Sequence, residues 1–277
     1  MQDFERDKRQ RQGQRPAPAI AEHSPAQLPV RPGEKPAEFR RQTPRLVQAF
    51  APSGPKRGDL RPGIPVRADV AAALSALVRS QPQSVVQALQ TLSPEAFQVR
   101  LFERNGQGGA DPHSLIIDGY LPSNALQWEA GHPGPWLGMW PAILEKALAT
   151  WHGSYAALGP GNRAGDVITA LTGREVRTLP TQWPDAVLMQ WLGTALAKGE
   201  PVLCSGGGDD DGIPRKPFVV HVVVSVQEID GRAAVQIEDP LVPDDPLIVL
   251  DISHFRNEYT QIHLMRPDTG QGAPAPA

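Results

Sequence analysis

Residues 139–173 read MWPAILEKALATWHGSYAALGPGNRAGDVITALTG, and the architecture turns on them. Trp140, Ile143, Leu144, Ala147, Leu148 and Trp151 recur at alternating steps of three and one, which is one face of a helical period. Pro141 fits a first turn, where its missing N–H leaves no bond unmade. Gly153 suits the left-handed residue that ends a helix. The spacing therefore predicts a helix over 140–151 with its Trp/Ile/Leu face buried.

Upstream, ADVAAALSALVRS (68–80) is rich in Ala and Leu without Gly or Pro and predicts a buried helix, limited on its N-terminal side by Pro65. A second helix is expected over 82–92. FQVRLFE (97–103) alternates as a half-buried strand, 115–117 is a second short strand, and a long loop runs through Gly138. Downstream, a helix is expected over 185–198, stopped by Gly199. From Pro201 the period becomes two, with strands at 201–205, 218–226, 233–238, 247–250 and 260–265, and Asp230-Gly231 marks a hairpin turn. Helices first and antiparallel strands second predict an α+β architecture of two lobes.

The chain has 277 residues, with 27 Lys+Arg against 30 Asp+Glu and a net charge of −3. Residues 1–65 carry 13 basic and 7 acidic residues, a net of +6, and hold 11 of the 30 prolines. Lacking helical or strand periodicity, this segment is expected to be disordered. A solvated tether explains it better than a nucleic-acid arm, because no aromatic residues interleave with the charges to stack on bases. Residues 267–277 are expected to be a loose tail. No apolar run approaches the roughly 18 residues needed to span a bilayer. MQDFERDKRQRQGQR at the start has no apolar h-region, so the expected location is cytoplasmic, or outside by a route without a cleavable signal peptide. The single cysteine, Cys204, excludes an internal disulfide framework and a Cys-based zinc cluster.

The 139–173 stretch resembles the papain-like catalytic core of the calpain family of cysteine peptidases, which carries a helix of the form WPxLLEKAYAKxxGSY, a Gly-rich turn and a short helix ending in LTG. Trp140, Pro141, Leu144, Glu145, Lys146, Ala147, Gly153, Ser154, Tyr155, Leu171, Thr172 and Gly173 fall on that pattern. IIDGYLP (116–122), Gly199-Glu200-Pro201-Val202, HVVVSV (221–226), EDP (238–240) and ISHFRNEYTQIHL (252–264) agree in order and spacing, so the resemblance runs from about 66 to 265. It implies a papain-like fold, with a helical lobe over about 66–180, a β lobe over about 181–266, and a cleft between them for a polypeptide substrate or protein partner.

A cysteine peptidase needs a thiolate at a helix N-terminus, an imidazole as general base, a group that orients the imidazole and a donor for the oxyanion. The resemblance places His221 at the general base and Asp239 at the orienting Asn. It places Ala68 where the family has its nucleophilic Cys, with Arg67 at the preceding Asp and Asp69 at the following Trp. Pro62 falls where the oxyanion Gln is expected, and Leu241 where a Trp follows the Asn-Pro. Asp239 also reads simply as a turn residue before Pro240, and His221 as a residue on a half-buried strand.

Strand register offers a check. With a two-residue loop at Asp230-Gly231, His221 faces Pro240 and Asp239 points to the other side. A three-residue loop, or an equivalent bulge, brings His221 and Asp239 onto one face. Cys204 lies on a strand rather than at a helix start and reads as a small buried hydrophobe. Ser75 and Ser80 lie inside the first helix. GGGDDDG (206–212) lacks the alternating ligands of a calcium loop, and His132, His152, His254 and His263 show no metal-ligand spacing with one another. No metal or other cofactor is expected.

Two functions follow. In the first, the domain is catalytically degenerate and binds a polypeptide or partner through the old cleft. In the second, it is a calpain-like endopeptidase in which Ala68 replaces a natural cysteine. Substitution at Ala68 alone leaves Pro62, Asp69 and Leu241 unexplained, which favours the first. An anchoring role for the basic tail is weaker than either.

Overall fold

Apolar periodicity shapes the chain in its first half and strand pairing in its second. The computed structural model describes residues 39–41, 49–60, 68–93, 96–106, 108–122, 139–158, 163–206, 219–242 and 245–266. In order these form β1 (Phe39–Arg41), α1 (Ala68–Ser80), α2 (Pro82–Ala88), β2 (Leu89–Ser93), β3 (Ala96–Arg104), β4 (Ala110–Asp118), β5 (Tyr120–Pro122), α3 (Trp140–His152), α4 (Ala164–Thr172), β6 (Val176–Pro180), α5 (Asp185–Ala197), β7 (Val202–Gly206), β8 (Val219–Ile229), β9 (Arg232–Glu238), β10 (Ile248–Asp251), α6 (Ile252–Glu258) and β11 (Gln261–Met265). Short 3₁₀ turns lie at Arg57–Asp59 and Ala156–Leu158. The sheets are β1-β5, β2-β3-β4 and a six-stranded β10-β9-β8-β7-β11-β6, and every pairing is antiparallel. The architecture is α+β, as the sequence pattern predicted.

The helical half surrounds α1, whose residues 69–77 are buried. It packs on α4 and on β8. The α3 face predicted from spacing is buried: Trp140, Ile143, Leu144, Ala147 and Leu148 are fully enclosed, and Gly153 ends the helix at φ 87°. Lys146 is buried as well. Its ammonium lies 2.5 Å from the Asp118 carboxylate, and burial is the main cause that lowers its pKa. This first core continues into the large sheet through Leu203, Val220, Val222 and Met265. A second core joins α5 and α6 to the other side of that sheet, through Val223, Val235, Ile237, Phe255, Tyr259 and Ile262. Among the described residues no helix is long and apolar enough to cross a membrane.

The expectation of disorder over 1–65 is corrected at its C-terminal end. Phe39–Arg41 pairs with Tyr120–Pro122. Ala49 and Leu60 are buried, Phe50 packs on the first core, and Trp140 Nε1 donates to Asp59 Oδ2 at 2.8 Å. The described part of this arm has no period because, apart from the three-residue β1 and the 3₁₀ turn at Arg57–Asp59, it packs through single residues such as Ala49, Phe50 and Leu60. The expected boundary at 66 therefore lies too late. Residues 1–38 and the tail 267–277 lie outside the described residues.

Other differences are local. The helix expected over 82–92 stops at Ala88, because Leu89–Ser93 is recruited by β3 as a strand. The strand at 115–117 extends to Ala110–Asp118. The strand β6 was not expected, since VRTLP is short and polar; it is held by pairing with β11. The helix α6 was missed too, although Asp251 is a clear cap, its Oδ1 accepting from the amides of Ser253 and His254.

Candidate active site

Strand pairing builds this site. Asp230 and Gly231 both have positive φ, 51° and 74°, and form a two-residue turn. The ladder runs from Ile229↔Arg232 to Ser225↔Gln236, then shifts by one residue at Val224 to give Val223↔Ile237 and Val222↔Glu238. The bulge does what the hairpin loop does not. Continued one residue past the Val222↔Glu238 pair at the end of β9, this register sets His221 opposite Asp239, as a shared face requires.

The imidazole Nε2 lies 3.6 Å from Asp239 Oδ2, an ion-pair distance longer than a hydrogen bond. The His221 imidazole is the main cause that holds the Asp239 carboxyl below its usual pKa, against the opposing effect of burial. The other carboxylate oxygen accepts from the Leu241 amide at 2.8 Å, so Asp239 is a turn residue as well. His221 Nδ1 is 2.8 Å from the Tyr259 phenol oxygen, with the two rings edge to face. Sequence reasoning missed Tyr259. Within FRNEYT it looks like one more core aromatic, and its partner is 38 residues away.

Ala68 is half-buried at the start of α1. The helix packs with Val220 and Val222, whereas Val219 and Val223, which alternate in step with His221, belong to the second core. The body of α1 and the imidazole thus lie on opposite faces of β8. Pro62 and Arg67 lie outside the described residues, as do His132 and residues 207–212. Asp69 is buried and accepts from the Arg163 amide at 2.9 Å. Leu241 packs against the first core.

Cys204 is fully buried on β7. Its thiol donates weakly to the His221 carbonyl, 3.7 Å away, and burial pushes its pKa up. A thiol held protonated in an apolar interior is a poor nucleophile.

Behind the pair, Glu238 points the other way and is 2% exposed. It receives Ser75 Oγ at 2.8 Å, Arg57 Nε at 2.9 Å and the Arg79 guanidinium. The carboxylate ties β9 to α1 and to the N-terminal arm. Nothing in the local sequence announces this burial.

His263 is buried between the hydroxyls of Thr178, 3.0 Å from Nδ1, and Ser205, 2.9 Å from Nε2. Burial holds its pKa at about 4. Between that value and the ordinary 6.5, the unfolded chain takes a proton that the folded chain refuses. Stability is therefore complete above about pH 6.5 and falls as the pH drops through this window, by about 3 kcal/mol at its acid end. Urea unfolding at pH 7, 6 and 5 should show this loss, and His263→Asn should flatten it. An unchanged slope in the variant would mean that other groups govern the acid response.

The sequence pattern of the calpain family cysteine proteases matches residues 34–266. Two plant proteins, the calpain-type cysteine protease DEK1 of Zea mays and the calpain-type cysteine protease ADL1 of Oryza sativa subsp. japonica, are each 33% identical to the chain over 113 residues. That segment is 37% of this chain, and the match spans only 5% of the length of either relative. The family match opens at residue 34, before the arm that packs on α3, and closes at 266, after β11. It takes in the helices, the antiparallel sheets and the His221–Asp239 register, and the chain belongs to the calpain family of cysteine proteases.

Proposed function

We propose that this calpain-family domain is catalytically degenerate as written and engages an extended polypeptide or protein partner without cleaving it. One observation carries the reading: the imidazole at the general-base position has Asp239 at one nitrogen and a phenol at the other, and no reactive thiol to serve. Ala68 supplies none at the nucleophile position, and Cys204 is buried and protonated. Pro62 and Asp69 remove the oxyanion side chain and the flanking Trp that the family pattern holds. The domain proposed for this role runs from the 39–60 arm to β11, with a helical lobe and a β lobe meeting at α1 and β8.

The retained His221–Asp239 pair favours a second reading, an endopeptidase whose natural cysteine is replaced by Ala68. In that case a thiol at 68 passes its proton to His221 and attacks the peptide carbonyl. The imidazolium then protonates the leaving amine, and water hydrolyses the thioester.

Ala68→Cys separates the two. For the degenerate domain the introduced thiol still lacks one oxyanion donor, which alone costs about 10²–10³ in rate. Asp69 beside it opposes thiolate formation. Cleavage of a denatured protein substrate should stay at background. Robust cleavage, abolished again by His221→Ala, would establish the endopeptidase instead.

A further inference from the structure

Tyr259 has a placement that core packing alone does not require. Its amide donates to the Phe255 carbonyl at 2.9 Å, its carbonyl accepts from the fully buried Thr181 hydroxyl at 2.7 Å, and the next amide, of Thr260, donates to the Ser205 carbonyl at 3.0 Å. Gly206, beside it on β7, has no room for a Cβ, which would collide with the Glu258 carbonyl oxygen. The ring packs on Phe255, with centroids 5.2 Å apart, and is 4% exposed. The backbone is pinned on both sides, so the phenol is presented to His221 in a fixed position.

The hydrogen-bond inventory then fixes roles. An ionised Asp239 only accepts, so the proton of a neutral imidazole belongs on Nε2, facing it. Nδ1 is left with its lone pair, and the Tyr259 hydroxyl must donate into it. That lone pair is the one that would take a proton from a nucleophile. The phenol is itself no nucleophile: burial is the main cause that pushes its pKa up, and the negative charges of Glu258 and Asp239 add to it.

We propose that Tyr259 is a built-in cap on the His221 imidazole, holding the Nε2–H tautomer toward Asp239 and occupying the nitrogen that a base would need free. This inference rests on the reading of His221 as the general-base position. It adds an occupied base to the missing thiol and the missing oxyanion side chain of the degenerate reading.

Tyr259→Phe tests it by removing one oxygen and leaving the packing, with a melting curve to check the fold. The full chain, labelled with ¹⁵N in its histidines, should show a neutral His221 as the Nε2–H tautomer. Tyr259→Phe should mix the tautomers and raise the rate of His221 acylation by diethyl pyrocarbonate about fivefold, as expected for loss of one ordinary hydrogen bond. In the Ala68→Cys background, Tyr259→Phe should also raise iodoacetamide alkylation of the introduced thiol near neutral pH, and His221→Ala should cancel the gain. An unchanged tautomer and acylation rate in Tyr259→Phe, with a thiol that still responds to His221→Ala, would overturn the cap and leave the site reading standing. A thiol indifferent to His221→Ala with or without Tyr259 would overturn the site reading, and the cap with it.

Discussion

A chain begun at residue 61 should melt roughly 10–20 °C below the full protein, or fail to fold. Four losses add up. Leu60 and Ala49 leave the first core, where both are buried, and a fully buried Leu is worth about 1.5–3 kcal/mol. The Trp140 indole N–H loses Asp59 in a buried setting, at about 1–3 kcal/mol for an unsatisfied donor. The Trp140 backbone amide, at the start of α3, loses the Ala49 carbonyl at 3.0 Å. Arg57 no longer meets Glu238. The total exceeds about 5 kcal/mol, a large part of the stability of an ordinary domain, and at this size each kcal/mol moves Tm by about 2–4 °C. Leu60→Ala in the full chain is the milder form and should cost about 2–5 kcal/mol. A truncated chain that melts with the parent would show that the arm rests on the domain without stabilising it.

This arm also shows where the sequence stops being legible. Apolar patterning carries α1, α3 and every strand of the large sheet except β6, because elements this deeply buried must be apolar along most of their length. APSGPKRGDL (51–60) buries single residues, Leu60 in the first core and the Asp59 carboxylate against Trp140 of α3. No spacing rule describes that. The pairing of His221 with Asp239 was legible as a requirement for one extra residue, but its location was not. The three valines at 222–224 are equally good strand formers, so the pattern does not say which of them bulges; the structure places the bulge at Val224. Tyr259 and Glu238 lay beyond reach for a further reason, since each is given its role by partners far along the chain.

Glu238 supplies the second large effect. Arg57→Ala with Arg79→Ala should destabilise the protein by about 3–5 kcal/mol, the cost of leaving a buried charge without its partners. The carboxylate is 2% exposed, and the Ser75 hydroxyl at 2.8 Å would be its one remaining partner in the cluster described above. The two guanidiniums keep about a third of their exposure against 2% for the carboxylate, so the larger share of the penalty belongs to Glu238. Adding Glu238→Gln to the double variant should therefore restore part of the loss, since an amide is far cheaper to bury than a carboxylate. Surface charge pairs behave differently: each contributes about 0–1 kcal/mol, and removing the third charge restores nothing. Urea unfolding of the parent, the double variant and the triple variant decides between these. A double variant within about 1 kcal/mol of the parent would mean that water reaches Glu238 and that the tie between α1, the N-terminal arm and β9 is made by apolar packing alone.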